Sequence, residues 1–190
     1  LEDKVQLPRL YLAWHGVKAF SPDDAPLEML SYILAGDKNS RLYKRLVYDQ
    51  QVAQDVNTGN ESYKLDGMFL ATVTPKPGHT PAAMLRAVTE EVEKIVRDGV
   101  SSRELERAKN TTRAQMLDRL ASVNGKADIL NYYNYVAGTP DYAQRDAARY
   151  DAVTAADVQR VAREYLVAHR VVLTVVPEGK RELMATGGTK

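Results

Sequence analysis

The sequence predicts an α+β fold: an antiparallel or mixed β-sheet with helices packed on one face. Three observations predict it. Runs at 9–19, 52–61, 68–74 and 170–176 read as strands, the first rich in aromatic and aliphatic residues and the last β-branched. Stretches with helical apolar spacing and recognisable caps lie between them. The runs at 52–61 and 68–74 are joined by too few residues for a parallel crossover, so that pair is antiparallel.

The elements follow in chain order. Arg9 to Ala19 sets Leu10, Leu12, Trp14 and Gly16 on one side and Tyr11, Ala13, His15 and Val17 on the other, a strand mostly covered on both faces. Ser21-Pro22-Asp23-Asp24 supplies cap and turn chemistry for a helix carrying Leu27, Leu30, Ile33 and Leu34, which Gly36 stops. Asn39-Ser40 caps a short second helix from Arg41 to about Gln50, with Leu42 and Leu46 inward. The two strands after it turn at Leu65-Asp66-Gly67.

Pro81 then opens a long amphipathic helix with a stripe of Met84, Leu85, Val88, Val92, Ile95 and Val96, ended at Asp98-Gly99. Ser101 and Glu104 have capping-box spacing for a helix reaching about Leu120. Further helices are predicted from Lys126 to Val136 and from Asp141 to about Tyr150. Thr154 and Asp157 cap another, with Val158, Val161, Ala162, Tyr165 and Leu166 inward. The β-branched run Arg170 to Val176 closes at Pro177. Residues 1–177 read as one folded unit, and the polar stretch 178–190, with Gly187-Gly188, as a flexible tail.

Composition narrows the function. The 190 residues are long enough to hide about 70% of the unfolded surface. With 26 basic residues against 25 acidic ones, there is no electrostatic argument for nucleic acid or an anionic membrane. No apolar run reaches membrane-spanning length. The absence of cysteine excludes disulfides, thiol nucleophiles and thiolate metal sites, and leaves the compartment open. The start at Leu1-Glu2-Asp3-Lys4, with neither an initiator Met nor a signal-peptide pattern, leads to the expectation that the chain is cut from a longer one.

Three segments, in order, resemble the insulinase-type (pitrilysin-like) zinc peptidase family, in particular the half-domain that follows the zinc-carrying half. They are Asn39-Ser40-Arg41-Leu42-Tyr43-Lys44-Arg45-Leu46, the capped helix from Val153 to Leu166, and Val171 to Pro177. The resemblance implies a structural and substrate-chamber half of a zinc endopeptidase, acting on peptides that add as a strand to a sheet edge. It implies zinc in the upstream half, none in this chain, and no catalytic residue here. The implied partners are that upstream half, a second peptidase-like subunit or a further copy, and a peptide substrate. It also points to the bacterial periplasm. The rival is a non-catalytic assembly or scaffold subunit of the same superfamily.

The family's His-x-x-Glu-His signature binds zinc through two histidines and uses the Glu as general base. It is absent here: His15, His79 and His169 are far apart in sequence, and read as one packed strand imidazole and two surface ones. The family's substrate clamp, an Arg and a Tyr seven residues apart, falls on Val47 and Gln54, which have neither a guanidinium nor a phenol. Arg41, Arg45 and Tyr48 are the candidates to replace it, against the reading of a solvated basic helix face. Asn131-Tyr132-Tyr133-Asn134-Tyr135 reads as tyrosines burying rings and leaving hydroxyls wet, and Glu90, Glu91 and Glu93 as a solvated face. No Gly-x-Ser-x-Gly or phosphate-cradling loop is present.

Overall fold

The computed structural model describes residues 1–185. Its elements are β1 (Glu2–Asp3), β2 (Arg9–His15), α1 (Asp24–Ala35), a π-helical turn (Tyr43–Asp49), β3 (Ala53–Ser62), β4 (Gly67–Pro75), α2 (Pro81–Asp98), α3 (Ser102–Arg119), α4 (Val123–Ala137), α5 (Ala143–Ala152), α6 (Ala155–Tyr165) and β5 (Arg170–Pro177). The strands form one mixed sheet in the order β1-β5-β2-β4-β3. Only β1 and β5 pair in parallel; β2 pairs antiparallel with both β4 and β5, and β3 with β4.

Alternation along the strands decides which face is buried. Leu10, Leu12 and Trp14 of β2 and Phe69, Ala71 and Val73 of β4 point into one core with Leu27, Leu30 and Ile33 of α1, Val88, Val92 and Ile95 of α2, and Val158 and Val161 of α6. Trp14 meets Phe69 edge to face, with ring centroids 6.1 Å apart. The opposite face of β2 departs from the sequence expectation of cover on both sides. Tyr11 and Ala13 remain half-exposed, because no described element of the chain crosses that face of the sheet.

Both predicted capping boxes form: Ser101 with Glu104 at α3, and Thr154 with Asp157 at α6. Each satisfies two amides that the first helical turn leaves free. The helix predicted from Lys126 starts earlier, at Val123, because the Ser122 hydroxyl accepts from the Gly125 N–H at 3.0 Å. The short helix predicted from Arg41 widens instead into the π-helical turn, in which the Gln50 N–H donates to the Arg45 carbonyl at 3.0 Å. At the far end of the β2–β4 pair the backbones of Gly16 and Gly67 bond at 2.9 Å. A Cβ on Gly67 would lie 2.3 Å from the Val17 carbonyl oxygen, so this approach needs glycine.

Residues 178–185 of the expected tail are tied to the sheet. Glu2 accepts from the Gly179 N–H at 2.8 Å and from the Arg181 guanidinium at 2.5 Å, and the Ala185 N–H donates to Thr174 Oγ1 at 3.2 Å. Gly187-Gly188, with the rest of 186–190, lies outside the described residues.

Candidate functional site

The stretch that carries the clamp positions is built by the π-helical turn and the start of β3. Leu42 and Leu46 are fully buried, and Val47 packs partly buried against the same core. Gln54 is exposed at a register shift between Ala53 and Asp55, a bulge on an edge strand. Val47 offers a peptide only methyl groups.

The neighbouring guanidiniums form part of the fold, which corrects the reading of a solvated basic face. Arg41 grips Glu104 with Nε at 2.6 Å and Nη2 at 3.0 Å, and donates to the Gly99 carbonyl at 3.1 Å. Burial alone would raise the Glu104 carboxyl; the Arg41 guanidinium and the Ser101 N–H and hydroxyl instead hold it at about 2. Arg45 bonds Glu90 at 2.5 Å and Glu91 at 2.9 Å. Glu91, expected in a solvated face, is buried and takes a second cation, Lys94, at 2.7 Å. Helix periodicity does not register that α2 and α3 lie against the π-helical turn and present these carboxylates to it. Tyr48, 72% exposed, stands seven residues after Arg41, yet Arg41 is already committed to Glu104.

The histidines do not converge. The His15 side chain is 90% exposed, and its one acidic neighbour within 4 Å is Asp66, at 3.8 Å. It was expected to pack, but it ends β2 on the uncovered face. His79 is exposed in the loop before α2, and His169 in the turn before β5. Among the described residues no three His, Asp or Glu side chains gather as metal ligands, so the donor set does not fit a zinc site.

What the chain does present is an open sheet face. On the side away from the core, Val171 and Leu173 of β5 stand opposite Ala13 and Tyr11 of β2, which stand opposite Leu70 and Thr72 of β4. Val171 is 66% exposed and Leu173 42%. Tyr11, Ala13, Leu70 and Thr72 beside them are partly exposed. Sequence periodicity located these residues on strands but had no signal for what covers them.

The family model described as the peptidase M16 inactive domain matches residues 1–112. The chain belongs to this family. It is similar to the uncharacterized zinc protease YmxG of Bacillus subtilis, with 24% identity over 174 residues and 90% of this chain. It is also similar to the zinc protease PqqE of Helicobacter pylori, with 25% identity over 164 residues and 82% of this chain. This M16 domain spans 41% and 36% of the lengths of those two relatives. Among solved structures, the inactive peptidase domain from Bordetella parapertussis superposes with a TM-score of 0.81 at 25% identity. That match covers 95% of this chain and 96% of the other, so the two chains have nearly the same span.

A buried polar cluster escaped the sequence reading altogether. Asp24, at the start of α1, accepts from Arg149 Nη1 at 3.0 Å, from the Phe20 N–H at 2.9 Å and from the Ser62 hydroxyl at 2.5 Å. Arg149 also donates to Asp146 at 2.7 Å, and the Tyr133 hydroxyl to the same Asp146 at 2.9 Å. The Tyr133 hydroxyl, expected to be wet, is thus buried on a carboxylate, and desolvation together with Asp146 pushes its pKa up. These residues are separated by up to 125 positions, so no local pattern announces them.

Proposed function

We propose that this M16 domain is the non-catalytic structural half of an insulinase-type zinc endopeptidase, shaping the substrate chamber while a separate upstream half binds zinc and hydrolyses the peptide. The observation that carries the reading is the open apolar face of β5, β2 and β4, whose Val171 and Leu173 have no cover within the described chain. Burying such a face against another half favours association by the transfer of apolar area from water, roughly 25 cal/mol per Å² before the cost of association. The reading is also supported by the relatives, which are zinc proteases more than twice as long as the span matched here. Val47, Gln54, Arg41 and Arg45 offer no free guanidinium for a bound peptide, so the clamp belongs to another half or subunit.

Two measurements on purified material test it. Calorimetric zinc titration of this chain, with a fluorogenic peptide assay on the same sample, is expected to show no stoichiometric site and no cleavage. In gel filtration the chain is expected to associate with its zinc-bearing half supplied as a separate polypeptide, and the Val171→Lys, Leu173→Glu double variant to lose at least tenfold in affinity. Stoichiometric zinc with metal-dependent cleavage by the chain alone would refute the proposal, as would association indifferent to the double variant. If the upstream half lacks an intact His-x-x-Glu-His, the domain serves a scaffold rather than a peptidase.

A further inference from the structure

A second feature lies on the helical side, away from the open sheet face. Helices α1, α3, α4 and α5 and the end of β3 surround a cavity of about 250 Å³. Its wall is aromatic: Phe20, Tyr32, Tyr132, Tyr133 and Tyr150 line it. Its volume falls below the ~300–1,000 Å³ of pockets that take drug-sized molecules, so it suits a single small group.

The polar atoms around it are unevenly matched. Asp24 and Asp146 are saturated by Arg149, Tyr133 and Ser62, as described. Glu28, one turn after Asp24 on α1, lines the cavity and differs: among the described residues no cation pairs with its carboxylate, and the donor beside it is the Tyr32 hydroxyl. Tyr32, the next residue on that helix face, shares its hydroxyl between Gln115 and Glu28. Asn60, which also lines the cavity, spends its amide N–H groups on Asp24 and Ser62 and leaves its buried Oδ1 without a protein donor. Desolvation, reinforced by the nearby Asp24 charge, raises the Glu28 carboxyl to about 7, with Arg119 and the Tyr32 hydroxyl partly opposing.

A buried acceptor without a donor is costly, and a carboxylate more so. Native proteins keep such a group where something else completes it. Aromatic faces with an adjacent unpaired carboxylate complement a positive group, since the ring quadrupole and the carboxylate attract the same charge. With Glu28 ionised, the charged residues Asp24, Glu28, Asp146, Arg149 and Arg119 sum to −1, so one monovalent cation neutralises the site.

We propose that this cavity binds a small organic cation, an ammonium or guanidinium group carried either by a basic side chain of a peptide or by a free amine. Glu28 makes the ion pair, and the tyrosine rings cover the alkyl part. The site is independent of zinc hydrolysis and of the open sheet face. Arg119 is the internal competitor: it lines the cavity, is exposed, and has no carboxylate within ion-pair range among the described residues.

The test is calorimetry and chemical-shift titration of the chain at pH 8 in phosphate, with no amine buffer. The probes are n-butylammonium, Nα-acetyl-lysine methylamide, Nα-acetyl-arginine methylamide, and the neutral Nα-acetyl-norleucine methylamide. Expected is one site for the cations, no binding of the norleucine derivative, and at least a tenfold loss on Glu28→Gln. Arg119→Gln is expected to leave binding equal or tighter. Binding of n-butylammonium along with the capped residues identifies the free amine group as sufficient; binding of the capped basic residues alone identifies a peptide side chain. Three results would overturn the proposal: no cation binding up to about 10 mM, well past a 1 mM affinity; an affinity unchanged by Glu28→Gln; or binding that appears only after Arg119 is removed, which would show that Arg119 itself fills the site.

Discussion

Replacing Glu28 by Gln stabilises the domain at alkaline pH and leaves it almost unchanged at acid pH. Below pH 4.5 the carboxyl is protonated in both the folded and the unfolded chain. Between 4.5 and about 7 the unfolded chain has ionised it while the folded chain still holds the proton, so stability falls as pH rises through this window; above about 7 the loss is complete. At 1.36 kcal/mol per pH unit, the interval from 4.5 to about 7 amounts to about 3 kcal/mol. Gln cannot ionise and keeps the shape, so the variant escapes the loss. For a domain of this size about 3 kcal/mol moves Tm by roughly 6–12 °C. Thermal unfolding of both proteins by circular dichroism at pH 4.5 and pH 8, without amines, measures it. Asp24, Asp146, Arg119 and Arg149 are present in both proteins and largely cancel in the difference. A difference between variant and wild type that stays flat across this window would refute the argument that Glu28 is held desolvated and without a cation.

Three further outcomes are expected. Arg41→Ala costs about 2 kcal/mol near neutral pH, because it strands the half-buried Glu104 carboxylate; since Arg41 holds that carboxyl near 2, the cost is full above pH 4.5 and fades as acid protonates Glu104, which urea titrations at pH 7 and pH 3 would show. Gly67→Ala costs about 1–3 kcal/mol, since its Cβ would sit 2.3 Å from the Val17 carbonyl oxygen and backbone has to move; an unchanged urea midpoint would count against the close approach of Gly16 and Gly67. Phe69→Ala costs about 3–5 kcal/mol and shifts the fluorescence of Trp14, the one tryptophan of the sequence, whose ring it contacts at 6.1 Å; emission identical to wild type would contradict that packing.

The difference between what was legible in the chain and what was not follows the range of the interactions. Caps, strand alternation and helical stripes arise from residues within a few positions of one another. Ser101 with Glu104, Thr154 with Asp157, and Leu10, Leu12 and Trp14 could therefore be read directly, and the three resembling segments carried the family. Ion pairs are set by which elements meet, and so Arg41, Arg45 and Glu91 were misplaced on solvated faces: Glu104 lies 63 residues from Arg41, and Glu91 46 residues from Arg45. The same holds for Asp24 and Arg149, and for Glu28, which no cation reaches. By itself the sequence determined the α+β architecture and the absence of a His-x-x-Glu-His motif, because both are local patterns. Only the tertiary structure decided which polar groups find partners and which sheet face stays open, because those depend on contacts that form when distant segments are brought together.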